Sequence, residues 1–173
     1  MQTLVTRLGL ENRLRKENLR SYLLQCTLAA VAVLILLLML DAVTQTVLIA
    51  ALGASTFIAF AVPRSLHSDP RHMIGGYLVG ILAGGLLGTL NSTLQFDSVA
   101  TAHTMMVFFS AIATGLAMFI MVLTKTEHPP AAALALGLVL NEWDLLTLMV
   151  VIAGVVALSA IKRLVLPLMM DLL

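Results

Sequence analysis

The most specific chemical signal in the sequence is a histidine set between a carboxylate and two prolines, Glu127-His128-Pro129-Pro130. Proline has no N–H, fits the first turn of a helix and blocks its extension backward. The apolar run that begins with Ala131, Ala132 and Ala133 therefore reads as a helix with an abrupt start. The first free N–H groups of such a helix, here those of Ala132 and Ala133, are unsatisfied donors at the positive end of the helix dipole. That is a ready site for a small anion. His128 would add a hydrogen bond or a proton there, with Glu127 tuning its protonation. The plainer alternative is a loop followed by a helix with proline in its first turn.

Two sets of small residues accompany this signal. Gly53-Ala54-Ser55-Thr56 lie together in an apolar stretch. Their hydroxyls can bond a solute or bond back to the helix's own carbonyls. Read functionally, they form a break in a helix that faces the start of the proline-led one. Gly76, Gly80, Gly84 and Gly88, with Gly75 and Gly85 beside them, recur at four-residue spacing. This puts a bare face on one helix, against which another backbone can pack closely. A pore lining or a dimer interface are the alternatives.

Other chemistries find little support. Ser55 and His128 would make a nucleophile–base pair, but nothing supplies an orienting third group. There is no His-Glu-x-x-His and no Gly-x-Ser-x-Gly, so no catalytic residues and no enzyme are expected. His67, His72 and His103 lack a metal-ligand spacing, and Cys26 is the single cysteine. No metal and no cofactor are expected.

These residues are carried on membrane-length apolar runs. Hydrophobic residues make up 60% of the 173, charged ones 11%, and mean hydropathy is +1.03, too little polar residue for a soluble surface. Long runs occupy about 22–40, 47–62, 73–90, 104–123 and 145–161, each near the ~20 residues that cross a bilayer. The run 131–140 covers only about half of that thickness. If it still reaches the far side, the loops alternate: all ten Lys and Arg fall on one face, and Asp41, Asp97, Glu142 and Asp144 on the other. The positive-inside rule then places both termini in the cytoplasm. A re-entrant short segment would put Lys162 and Arg163 on the wrong side. The expected fold is all-α, a polytopic transmembrane helix bundle of about six crossings with a proline-broken half-helix. Three plus three crossings are the arithmetic of an inverted repeat. Residues 1–20 form a basic segment, either an amphipathic surface helix through Leu4, Leu8, Leu10 and Leu14 or a solvated tail. Residues 21–173 form the transmembrane domain. No Asp, Glu, Lys or Arg lies within the long runs so drawn, which argues against coupling through a buried carboxylate. The net charge of +1 offers nothing to nucleic acid.

Three blocks resemble the HPP family of integral membrane proteins. They are Gly53-Ala54-Ser55 with the apolar run to Pro63 and Ser65; Pro70-Arg71 with Ile74-Gly75-Gly76 and Leu78-Val79; and His128-Pro129-Pro130 with Ala131 to Leu136. They occur in the family's order and span about half of the chain. The resemblance implies an all-helical membrane fold found in bacteria and chloroplasts, hence a bacterial inner membrane location, and an association with nitrite transport. The alanines after Pro130 depart from the glycines expected in many relatives. The combined expectation is a transporter or channel for a small inorganic anion, nitrite first. The substrate-binding set would be His128, Pro129, Pro130, Ala131, Ala132, Ala133, Gly53, Ala54, Ser55 and Thr56, near the bilayer midplane. A two-fold homodimer is expected from the short helices and glycine-rich faces. The rival reading is a non-transporting scaffold or regulatory subunit, marked by packed contacts rather than a polar cavity between the second and fifth spans.

Overall fold

The computed structural model describes residues 16–39, 46–96 and 98–172, with side chains from 19–35, 48–96 and 98–172. The basic segment before residue 16 and the acidic positions 41 and 97 lie outside the described residues. Six α-helices follow one another: α1 (Lys16–Met39), α2 (Thr46–Ala61), α3 (Pro70–Thr93), α4 (Val99–Thr124), α5 (Pro129–Leu140) and α6 (Leu145–Val165), with single 3-10 turns at Leu66–Ser68 and Leu166–Leu168. Among the described residues, Pro70–Thr93, Val99–Thr124 and Leu145–Leu168 are long and apolar enough to cross a membrane, while Leu19–Ile35, Leu48–Ala61 and Pro129–Leu140 are shorter apolar helices.

Local chemistry sets the helix ends. Proline opens α3 and α5. Ser98 caps α4 by accepting from the Thr101 N–H at 3.2 Å. Asp144 caps α6 by accepting from the Thr147 N–H and hydroxyl, each at 2.7 Å. Those bonds hold its carboxyl below the usual carboxylate range, since they favour the charged form. Lys125 adopts a left-handed conformation (φ 54°) and stops α4 before Glu127.

Contacts between helix ends fix the direction of travel. At one end, the Arg71 guanidinium donates to Thr124 O, the Lys162 ammonium to Ser68 O, and the Leu172 N–H to Ala61 O. The buried Gln25 amide joins this end too, donating to Phe60 O and Met170 O. At the other end, Trp143 lies beside Gly85. Successive helices therefore alternate in direction, and the described basic residues gather at one end of the bundle.

α5 runs parallel to α3 inside the bundle, with small residues on both sides of the contact. A Cβ placed on Gly76 would meet the His128 Cβ; on Gly80, the Ala131 carbonyl; on Gly84, Ala135; and on Gly88, Leu138 and Val139. The glycine face is thus occupied by the backbone of α5 within the protomer.

Two features differ from the sequence expectation. First, α2 is continuous through Gly53–Thr56. The Ser55 and Thr56 hydroxyls reach back to Ala51 O and Leu52 O at 3.0 and 2.9 Å, the back-bonding that keeps a hydroxyl inside a helix without breaking it. Second, α6 extends to Val165, so Lys162 belongs to its last turn rather than to a loop. Lys162 is only 5% exposed. It ties α6 to the 66–68 turn through Ser68 O at 2.6 Å and Ser68 Oγ at 3.1 Å.

Candidate functional site

The abrupt start of α5 brings residues from three other parts of the chain together. Gly76 leaves room for the His128 Cβ, so His128 sits level with the second turn of α3. Six residues at ~1.5 Å each put it about 9 Å inside the start of α3. That is nearer the basic end than the middle of the bundle.

The His128 ring is bonded at both nitrogens. Nδ1 lies 2.9 Å from His67 O. A carbonyl oxygen can only accept, so Nδ1 carries the proton. Nε2 lies 2.8 Å from Ser55 Oγ, which in turn lies 2.9 Å from the Tyr77 hydroxyl. Ser55 and Tyr77 are fully buried and His128 is 1% exposed. In the neutral ring, Nε2 is an acceptor. The protons then run one way: Tyr77 donates to Ser55, Ser55 to His128, and His128 to the His67 carbonyl. Burial pushes the His128 imidazole down to about 4; the bond to the His67 carbonyl opposes this, and the His67 and His72 rings add to it.

A second layer holds this chain from the basic end. His67 Nδ1 donates to Glu127 O at 2.9 Å. His72 Nε2 lies 3.5 Å from the Glu127 carboxylate. The His67 and His72 rings meet edge to face at 6.4 Å. His72 Nδ1 is buried and without a partner. Among the described residues no group of three or more His, Cys, Asp or Glu is placed to hold a metal ion.

The predicted anion-binding residues divide. Ser55, Thr56, His128, Pro130 and Ala131 are buried, whereas Ala54, Pro129 and Ala133 face outward and Gly53 and Ala132 are half-buried. The Ala131 N–H is used by His128 O at 2.9 Å. Ser55 and His128 bond directly to each other between α2 and α5, and both are buried. A cavity of about 330 Å³ opens instead on the α4 side of His128, lined by Met118, Met121, Val122, Glu127, His128, Pro129 and Ala132. Ser55 is not on its wall. The third group of a Ser–His pair is present as the His67 carbonyl, and Ser55 itself is fully buried.

Two participants were not singled out in the sequence, Tyr77 and the carbonyl of His67. Tyr77 had a usable signal: it is one of two tyrosines, and it follows Gly76 directly in an apolar run. A buried tyrosine hydroxyl needs a partner. The His67 carbonyl leaves no trace in residue identity.

A bundle of alternating apolar helices, with its described basic residues at one end and a hydrogen-bonded histidine at a proline-led helix start, defines a polytopic integral membrane protein. The family model of the HPP transmembrane region matches residues 14–170, and the chain belongs to that family. It is also similar to a transmembrane protein of Dictyostelium discoideum, with 34% identity over 99 residues, which cover 56% of this chain and 31% of the relative. The matched region is thus about a third of that relative's length. No solved structure matches significantly.

Proposed function

We propose that the protein moves a compact inorganic anion, nitrite foremost, across a bacterial inner membrane, with the basic end of the bundle in the cytoplasm. One observation carries this reading: the buried His128 faces a hydroxyl chain on one side and a 330 Å³ cavity at the start of α5 on the other. The groups at this position are hydroxyls, an imidazole and a helix start. The described helices hold no carboxylate beyond Glu17, in the first turn of α1. A desolvated anion needs donors, and a carboxylate inside the spans would repel it; Glu127, outside the helices, also lines the cavity, with its carboxylate 3.5 Å from His72 Nε2. The helix start adds a weak electrostatic preference of ~0.3–2 kcal/mol, compatible with release. The family's association with nitrite supports the choice of substrate.

The test is uptake of nitrite, nitrate and chloride by liposomes containing purified protein. We expect uptake of at least one anion above protein-free vesicles, lowered about tenfold or more in His128→Ala and less in Ser55→Ala. Uptake equal to wild type in both folded variants removes the site.

A scaffold or regulatory subunit is the second reading. The direct Ser55–His128 contact between α2 and α5 favours it. Absence of flux for every anion would select it.

A further inference from the structure

Building on the transport reading, we infer that His128 carries a proton with each univalent anion, so that anion and proton cross together without net charge. The argument rests on how Ser55 is placed. Its single proton has two acceptors within reach, His128 Nε2 at 2.8 Å and Ala51 O at 3.0 Å. With a neutral ring, Ser55 donates to Nε2 and accepts from Tyr77. With a proton on Nε2, the ring donates to Ser55, and the Ser55 proton turns to Ala51 O. Nδ1–H stays on the His67 carbonyl in both states. Rotation of one hydroxyl proton therefore satisfies either charge state of His128 with every heavy atom in place. A histidine held for structure alone needs only one of these arrangements.

The protonated ring has a charge that the surrounding groups do not neutralise. From α2 it faces Ser55, which is uncharged. From α3 it faces Tyr77, with ring centres 5.7 Å apart, and more distantly His72. From the turn before α3 it faces His67. From the segment leading into α5 it faces Glu127, whose carboxylate is directed to His72. The α4 wall offers only Met118, Met121 and Val122. A buried charge without a counter-ion is strongly disfavoured. An anion in the cavity against His128 supplies the counter-charge, so each ligand favours binding of the other. Release of the anion and the proton to the far side then moves no net charge and leaves His128 neutral. No bond other than N–H and O–H is made or broken: the proton comes from water and returns to water, reaching Nε2 when the ring leaves Ser55 for the cavity that His128 lines.

The experiment uses wild-type protein in liposomes loaded with a pH-sensitive dye and given nitrite or nitrate outside. Protein-free vesicles set the background from undissociated acid crossing unaided. We expect internal acidification at one proton per anion taken up. Final accumulation should be insensitive to an imposed potential of about 100 mV and should rise about tenfold per unit of pH gradient. In His128→Gln, whose amide donates but takes no proton, proton entry should fall at least tenfold. Wild-type anion uptake without proton entry, with accumulation changing about fiftyfold, the ~2.3 kcal/mol that 100 mV gives one charge, overturns the inference and leaves the transport reading standing. Proton entry in His128→Gln equal to wild type overturns the assignment to His128. Should that variant fail to fold, the wild-type proton count and potential dependence decide alone. Absence of uptake above protein-free vesicles overturns the transport reading itself.

Discussion

Gly84→Ala is the sharpest perturbation of the helix pair that places His128. A Cβ at residue 84 would lie 2.5 Å from the Ala135 carbonyl oxygen, 2.8 Å from its Cα and 3.0 Å from its carbonyl carbon. All three are backbone atoms of α5, so no rotamer change relieves the overlap. α5 must move away by several tenths of an ångström, and the contacts at Gly80 and Gly88 loosen with it. Overpacking of a filled interior costs ~1–3 kcal/mol. At ~2–4 °C per kcal/mol for a chain of this size, the melting temperature in mild detergent should fall by about 2–12 °C. Two controls separate sterics from the general effect of removing a glycine. At Gly53 nothing lies within 4 Å, and at the neighbouring Gly85 the nearest atoms are those of the Trp143 ring at 3.6 Å. Alanine there meets ordinary contact or open space and gains ~0.5–1 kcal/mol of helix propensity. Both should melt at or slightly above the wild-type temperature. Equal melting temperatures for Gly84→Ala and Gly85→Ala would refute the claim that α3 and α5 touch backbone to backbone.

Three further outcomes are expected. With Cys26 replaced by Ala, single cysteines at Leu66 and at Ser92, both exposed, should label from opposite sides of the membrane, and one at Asn141 should match Ser92; labelling of 141 from the Leu66 side would mean that α5 does not cross. Gln25→Leu leaves the Phe60 and Met170 carbonyls and the Met170 N–H without their partner, at ~1–3 kcal/mol for each buried group left unsatisfied; limited proteolysis should then cut the C-terminal segment faster than in wild type. Because the folded protein holds His128 down at about 4, below the ~6.5 of an unfolded chain, the unfolded state binds the proton first as pH falls. Stability is full above pH ~6.5 and is lost progressively toward pH 4, so the melting temperature should drop across that window more steeply in wild type than in His128→Gln.

The bundle was legible in the sequence because a bilayer leaves so few choices. Apolar runs must be helices, since every backbone group has to be satisfied internally, and the clustering of Arg64, Arg71, Lys125, Lys162 and Arg163 between them sets the alternation. Polarity alone places the helix boundaries too short, since the last helix runs on to Val165. Lys162 shows why that fails: a lysine in a last turn can stay helical and buried when Ser68 O receives its ammonium. The glycine period pointed to close packing, but four-residue spacing says nothing about which backbone arrives. The α5 carbonyls are the answer, and they carry no side-chain signature.

The site was half legible, and the illegible half bears on its chemistry. His128 and Ser55 stand out by type, one beside paired prolines and the other in a small-residue cluster. Their separation of 73 positions is bridged because α2 packs directly on α5, which lies against the glycine face of α3. Taken as separate anion ligands, the two should point into a shared open space. Instead each satisfies the other, so on the transport reading His128 offers an anion the charge of a protonated ring rather than a free donor. Ser55 accommodates that charge by turning one proton toward Ala51 O, while the His67 carbonyl keeps the ring oriented. A variant that removes only the terminal donor isolates this step. Tyr77→Phe leaves the fold and the His128–Ser55 bond in place but deprives Ser55 of the hydroxyl that donates to it. If the hydroxyl chain sets the resting neutral state of His128, Tyr77→Phe should alter the pH dependence of anion uptake while its maximal rate at low pH stays within about threefold of wild type. An unchanged pH profile, or a uniform loss of rate at every pH, would show that Tyr77 only packs and does not set the resting state of His128.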